Sequence, residues 1–282
     1  MLLIYQTILS ICLIFSPIVI ILRILRNKED KKRFIEKFSI ATAKRRDGKL
    51  IWFHGSSVGE ILSIIPIIKN YEKDKSITQI LVTSSTISAS KVIKKFKFKK
   101  TIHQFYPVDH FFFTTKFLKY WKPSIAIFID SEIWPYMFSL LNYKSIPLIL
   151  LNARLTKKTF NRWMKISFFS KSVFNKILVA YPQNMETKFY LKKLKTKKII
   201  SLGNIKFAEN FEKKLIQINS KLKEQLKKRN IWVASSTHKN EEVFCVKAHI
   251  ALKKKIKNLT TIIIPRHIHR VKEIISEIEN FK

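Results

Sequence analysis

Glu60 closes the run Gly55-Ser56-Ser57-Val58-Gly59-Glu60, which follows the apolar segment Leu50-Ile51-Trp52-Phe53 and leads into Ile61-Leu62-Ser63-Ile64-Ile65. A carboxylate at such a corner can take a proton from a substrate hydroxyl, which is general-base chemistry. It can equally complement the positive end of a helix. Two further carboxylates lie in Asp130-Ser131-Glu132-Ile133-Trp134-Pro135, after the apolar run Ile125–Ile129. There Glu132 could polarise an active-site partner, or Ser131 or Asp130 could cap a helix whose first turn suits Pro135. Two cations are candidates to answer negative charge: Arg154, in Asn152-Ala153-Arg154-Leu155, could pair with one of these carboxylates, and Lys206, in Gly203-Asn204-Ile205-Lys206-Phe207, could meet a phosphate or carboxylate. Further along, Ser236, Thr237 and His238 offer hydroxyl and backbone N–H groups suited to a phosphate at a helix start, and Pro265-Arg266-His267 ends another apolar run. No metal is expected, because His238, His267 and His269 lack carboxylate partners at ligand spacing and no Asp-x-Asp motif is present.

Each of these groups falls where a short β-branched or aromatic run gives way to a helical pattern, the signature of strand, tight turn and helix. Strands are predicted over Leu50–Phe53, Gln79–Thr83, Ile102–Tyr106, Ile125–Ile129, Leu148–Leu151, Lys176–Ala180 and Ile199–Leu202. Helices are predicted over Glu60–Tyr71, Ile87–Phe96, Phe111–Trp121, Trp134–Leu141, Lys158–Phe169 and Asn184–Leu194. Such alternation implies an α/β fold with a parallel sheet covered on both faces, in which ligands gather at the carboxyl ends of the strands. A lysine-rich helical stretch around 211–229 reads as a hinge. A second alternation follows, with strands over Ile231–Ser235 and Thr260–Ile264 and helices over Glu241–Lys254 and Val271–Ile278. The expected organisation is therefore residues 1–25 as a membrane anchor, 26–207 as a first Rossmann-like domain, 208–230 as a linker and 231–282 as part of a second domain.

Leu2 to Leu22 carries no charged residue, and Arg23, Arg26, Lys28, Lys31, Lys32 and Arg33 follow it. A cleavable signal peptide has its positive charge first, so this order favours an anchor, with the rest of the chain on the cytoplasmic side. Pro17 is placed to kink the segment, and a helix that dips into the membrane or packs in a core is an alternative to one that spans. Across 282 residues, 55 Lys and Arg against 19 Asp and Glu give a formal charge of +36, which fits nucleic acid, an anionic membrane or anionic substrates as partners. No aromatic-interleaved RNA-binding signature or zinc-finger spacing accompanies the charge, so nucleic acid is not expected. Lysine richness with only 4 glycines also matches the bias of AT-rich coding, which weakens charge as a functional signal. The two cysteines, Cys12 and Cys245, suggest neither a disulfide framework nor a metal site.

Taken in order, these motifs resemble the Kdo (3-deoxy-D-manno-octulosonic acid) transferases of lipopolysaccharide assembly, over essentially the whole chain. The resemblance implies a glycosyltransferase-B fold of two Rossmann-like domains with an amino-terminal membrane-anchor helix, on the cytoplasmic face of the inner membrane and in contact with its anionic lipids. It implies an inverting, metal-independent transfer without a cofactor, from CMP-Kdo to a lipid A precursor (lipid IVA) bound by the first domain. Glu60 matches the catalytic base, Glu132 and Lys206 match transition-state stabilisers, and Pro265 and Arg266 match part of the nucleotide site, with Ser236, Thr237 and His238 beside it. The departures are Asp130 for the usual Glu, Tyr136 for Asn, Lys239-Asn240 for Glu-Gly and Ile268-His269 for Pro-Glu. Relatives continue into glycine-rich loops and an Asn-Pro-Leu-Glu segment beyond the point where this sequence ends, so the second domain is expected to be incomplete. Two other readings remain: another glycosyltransferase of the same fold, and an inactive fragment or non-enzymatic basic protein at the membrane surface.

Overall fold

Leu50 and Trp52 pack into one apolar cluster and Ile51 and Phe53 into another, so the first strand is buried on both faces, as the two-residue period of a strand requires. That strand lies at the centre of the larger of two units, Met1–Asn210 and Phe211–Lys282. The computed structural model describes residues 1–205 and 220–281. The first unit runs α1 (Leu2–Ile14), α2 (Ser16–Leu25), β1 (Leu50–His54), α3 (Val58–Lys73), β2 (Gln79–Ser84), α4 (Ile87–Lys95), β3 (Thr101–Phe105) and α5 (Phe111–Trp121). It continues through β4 (Ile125–Ile129), α6 (Pro135–Tyr143), β5 (Leu148–Ala153), α7 (Lys157–Met164), α8 (Ser167–Phe174), β6 (Val179–Pro182), α9 (Met185–Lys193) and β7 (Lys198–Ile199). The second unit holds α10 (Ser220–Leu226), β8 (Asn230–Thr237), α11 (Glu241–Lys253), β9 (Leu259–Pro265) and α12 (Val271–Glu279).

All seven strands of the first unit are parallel, in the order β3-β2-β1-β4-β5-β6-β7. The order reverses between β1 and β4, the one place where neighbouring strands are not joined by a local crossover. Ile61, Ile64, Ile65 and Ile68 of α3 pack with Ile51 and Phe53, whereas Met137, Phe138 and Leu141 of α6 pack with Trp52 and Phe128. The chain therefore leaves β1 and β4 toward opposite faces, which opens a crevice at their carboxyl ends. In the second unit β8 and β9 pair in parallel, with α11 packed on them.

One predicted helix is in fact two. At the junction of α7 and α8 the hydroxyl of the buried Ser170 turns back to the Trp163 carbonyl, an acceptor that a continuous helix would have used internally. The amino-terminal segment also divides. Pro17 has no N–H to give the carbonyl one turn earlier, and the chain bends by 56° between α1 and α2. Among the described residues no single helix is long and apolar enough to cross a membrane; α1 and α2 together have the length and composition of a broken span or re-entrant loop. Their outer side is strongly apolar, with Leu3, Ile14 and Leu25 each more than 70% exposed.

Both ends of this bent pair are fixed to the sheet domain. On α1, the buried Gln6 donates to the Asp109 carbonyl (3.0 Å) and accepts from the Phe111 amide (2.8 Å), while the Tyr5 hydroxyl donates to Asp109 Oδ2 (2.9 Å). At the end of α2, Arg23 pairs with the buried Glu29, which also takes Lys37 Nζ. Asp109 does a second job. Its two carboxylate oxygens accept the Tyr136 and Met137 amides at 2.9 and 2.7 Å, capping α6 from 27 and 28 residues away. The expectation that Asp130 or Ser131 would cap this helix is thus corrected: Trp134 occupies the cap position without a side-chain bond, and the acceptor comes from the β3–α5 loop.

Burial pushes the Asp109 carboxyl up to about 7, against the pull of the Tyr136 and Met137 amides and the Tyr5 hydroxyl. A folded-state value above the unfolded one means that the folded chain holds this proton more tightly, so the group's contribution to stability falls as pH rises from about 4 to about 7. The melting temperature of Asp109→Asn should accordingly gain on that of the wild type as pH is raised through this window; a constant difference across it would contradict the assignment.

Candidate active site

The β1–α3 corner is built by a reciprocal cap. Ser57 Oγ accepts the Glu60 amide, and Glu60 reaches back to take the Ser57 hydroxyl at Oε1 and the Ser56 amide at Oε2, both at 2.7 Å. This is a variant of the capping box: the Ser57 hydroxyl satisfies the Glu60 amide, and the Glu60 carboxylate takes the amide of Ser56, one residue before the cap. Glu60 therefore does complement the helix start, and it does so while partly exposed at the crevice, so the structural and chemical roles coincide in one side chain. Gly55 makes the corner possible: a Cβ there would lie 3.1 Å from Glu60 Cβ and 3.4 Å from Ile61 Cδ1.

At the neighbouring strand end Glu132 is held differently. Its Oε2 meets His54 Nε2 at 3.1 Å and Trp134 Nε1 at 3.0 Å. His54 is the last residue of β1 and is fully buried. Its Nδ1 lies 3.0 Å from the Thr83 hydroxyl, which also accepts the Trp52 indole N–H at 2.9 Å. Tyr106 stacks on the imidazole with ring centroids 3.9 Å apart, and Phe128 meets it edge-on at 5.0 Å. Sequence reading passed over His54, since a histidine closing an apolar strand carries no motif of its own; the carboxylate 78 residues later gives it meaning.

A third cluster joins β4 and β5. The buried Asn152 donates its side-chain amide to Asp130 and accepts the Ile205 amide at 3.2 Å. Asp130 and Asn152 both adopt left-handed backbone, which turns the chain sharply at the two strand ends. The Gly203-Asn204-Ile205 segment is drawn over to the end of β5 in this way, with Gly203 at φ 84°. Lys206 lies outside the described residues. Arg154 departs from expectation: it is exposed and forms no ion pair among the described residues, and only its amide reaches the Asp130 carbonyl, at 3.1 Å.

In the second unit, Thr237 and Pro265 are register partners at the ends of β8 and β9, and the Arg266 amide donates to the Thr237 carbonyl at 2.9 Å. Ser236 and His238 are exposed on either side of Thr237, and the His238 amide donates to Glu241 Oε2 at 2.8 Å. Ser236, Thr237, His238, Pro265 and Arg266 are thus brought to one end of the strand pair, beside the start of α11. A cavity of about 530 Å³ adjoins them, lined in part by Ser235, Lys239 and Phe244. The Thr237 hydroxyl, however, is turned inward, donating to the buried Glu242 at 2.9 Å. Arg270 completes that cluster, with Nη1 3.1 Å from the same carboxylate; burial pushes the Glu242 carboxyl up, but its own backbone amide, Arg270 and the Thr237 hydroxyl together outweigh this and hold it below its usual range. The expectation that the Thr237 hydroxyl offers itself to a phosphate is corrected: the residue is buried and its hydroxyl is already given to Glu242.

A family model described as 3-Deoxy-D-manno-octulosonic-acid transferase (kdotransferase) matches residues 32–209. The 3-deoxy-D-manno-octulosonic acid transferase of Rickettsia bellii (strain RML369-C) is 35% identical over 265 residues, covering 92% of this chain and 62% of the relative. That of Rickettsia felis (strain ATCC VR-1525 / URRWXCal2) is 32% identical over 325 residues, covering 98% and 69%. That of Haemophilus influenzae (strain ATCC 51907 / DSM 11121 / KW20 / Rd) is 28% identical, covering 93% and 63%. The chain thus spans about three-fifths to two-thirds of the length of these curated relatives. Among solved structures, a UDP-GlcNAc 2-epimerase from Neisseria meningitidis bound to UDP-GlcNAc has a TM-score of 0.54 at 14% identity, covering 82% of this chain and 68% of that one. A UDP-N-acetylglucosamine 2-epimerase has a TM-score of 0.56 at 15% identity, covering 84% and 66%. At such identities the likeness is one of fold.

The Gly55 contact yields a direct test of the corner. Gly55→Val should cost about 1–3 kcal/mol in urea denaturation, with Gly55→Ala costing less, because the added atoms meet the base of Glu60 and the first turn of α3. Wild-type stability in the valine variant would show that the corner is looser than the geometry requires.

Proposed function

We propose, on the premise that this chain belongs to the 3-deoxy-D-manno-octulosonic acid transferase family, that the protein transfers Kdo from CMP-Kdo to a lipid A precursor (lipid IVA) in lipopolysaccharide assembly. The observation that carries this reading is the pair of carboxylates, Glu60 and Glu132, just beyond the carboxyl ends of the two strands β1 and β4 that flank the crevice.

The acceptor hydroxyl is a weak nucleophile until its proton leaves. Glu60 takes that proton as the oxygen attacks the anomeric carbon of Kdo. The bond to the CMP phosphate breaks on the opposite side, so the configuration inverts, and the sugar passes through a state of oxocarbenium character. Glu132 answers the positive charge of that state, and Lys206 answers the negative charge leaving with CMP. The transfer is metal-independent and needs no further cofactor. In the second unit, the main chain around Ser236, Thr237 and His238, with Pro265 and Arg266, holds the nucleotide at the start of α11.

The acceptor is a membrane lipid, and α1 with α2 supplies the attachment. An apolar outer side is joined to a basic flank of Arg23, Arg26, Lys28, Lys31 and Lys32. Each well-placed Lys or Arg adds about 1 kcal/mol of attraction to an anionic leaflet, so the protein sits on the cytoplasmic face of the inner membrane. The docking of α1 on Asp109 then keeps the sheet domain close to the lipid surface.

Transfer can be assayed with CMP-Kdo generated in place and a tetraacylated lipid A precursor, beside a full-length relative as positive control. Glu60→Gln should lower turnover by at least about 100-fold while the protein stays folded. Acceptor binding that persists unchanged in this variant, with no turnover in the wild type, would favour a non-enzymatic basic membrane protein. In flotation assays, binding to vesicles containing anionic lipid should weaken between low and high salt but persist in part, the residue being the apolar share; complete release by salt would remove α1 and α2 from the attachment.

A further inference from the structure

Glu132 carries its two oxygens in unequal surroundings. Oε2 is met by His54 Nε2 and by the Trp134 indole N–H, whereas Oε1 has no hydrogen-bond partner among the described residues. The carboxylate is 15% exposed, while the imidazole behind it is wholly buried. His54 cannot turn: Tyr106 stacks on one of its faces, Phe128 meets it edge-on, and Nδ1 is fixed at the Thr83 hydroxyl. Nδ1 also lies 3.3 Å from the Thr83 carbonyl, and the Trp134 indole N–H that reaches Glu132 Oε2 is 3.2 Å from Nε2, so ring, indole and carboxylate form one network in which a proton on Nε2 is directed at the carboxylate. Two N–H donors from different strands' ends therefore converge on one oxygen, a geometry that fixes the angle at which the other oxygen is presented.

We propose that His54 is a positioning residue for the transfer reaction, holding Oε2 of Glu132 together with Trp134 so that Oε1 faces the substrate in one orientation. This rests on the transferase reading above. A carboxylate that must answer charge developing in the transition state gains from being oriented beforehand, since reorientation would otherwise be part of the barrier. Losing His54 should therefore lower the rate of the chemical step and leave substrate binding nearly unchanged.

The test combines kinetics with spectroscopy on the whole protein. His54→Leu removes both ring nitrogens and should lower kcat by about 10- to 100-fold with KM changed less than about threefold, whereas His54→Gln, whose amide N–H can still reach Glu132, should recover most of the loss. Independently of activity, the Nε2–H signal of His54 in imidazole nitrogen–proton spectra should be protected from exchange in the wild type and should shift on Glu132→Ala. A His54→Leu protein with wild-type kcat, or a glutamine variant no better than the leucine one, would overturn the proposal. So would an Nε2–H signal indifferent to Glu132→Ala. Absence of Kdo transfer by the wild-type protein would instead defeat the transferase reading itself, and with it the reaction His54 is proposed to serve, while the spectra would still report on the contact.

Discussion

The reversal of strand order between β1 and β4 is the constraint from which the site follows. Two parallel neighbours that send their chains to opposite faces cannot close over the gap between their ends, and backbone groups there are left for side chains and ligands. The carboxylates Glu60 and Glu132 are arranged around that gap. Glu60 caps the helix leaving one side, Glu132 lies in the turn leaving the other, and His54 reaches Glu132 across the gap from the end of β1. The aromatic cluster below, with Trp52, Tyr106 and Phe128 against the imidazole, makes the floor of the gap rigid.

Much of this could be read from the sequence because strand, turn and helix are local. The run from Leu50 to Ile65 declares its structure within sixteen residues, and the strands of the first unit fall close to the expected places. What escaped was non-local. His54 looks like the last residue of a strand until its neighbour across the crevice is known. The cap of α6 comes from Asp109, far upstream, so the nearer Asp130 and Ser131 were the natural candidates. Thr237 shows the same limit in the second unit: its hydroxyl sits in a motif suited to phosphate, yet a glutamate one helical turn later claims it. A short polar side chain chooses among partners by proximity in space, and a one-dimensional pattern shows only those close in sequence.

The amino-terminal helices illustrate how composition and packing divide the labour. Apolar composition sets Leu2 to Leu22 apart from the rest of the chain, but its few polar residues decide its placement. Tyr5 and Gln6 are spent on the β3–α5 loop, and Arg23 is spent on Glu29, so the pair is held against the protein at both ends.

Asp109 consequently answers to two parts of the molecule at once, the apolar amino-terminal helix α1 and the helix α6 beside the crevice. Such a residue is inherited under a double constraint. A change at Tyr5 or Gln6 that suited a different bilayer would have to leave the α6 cap intact, and a change at Asp109 would need compensation on both sides at once. Variation in α1 is thereby filtered by the loop that caps α6, and positions 5, 6 and 109 should be passed on as a set rather than one at a time.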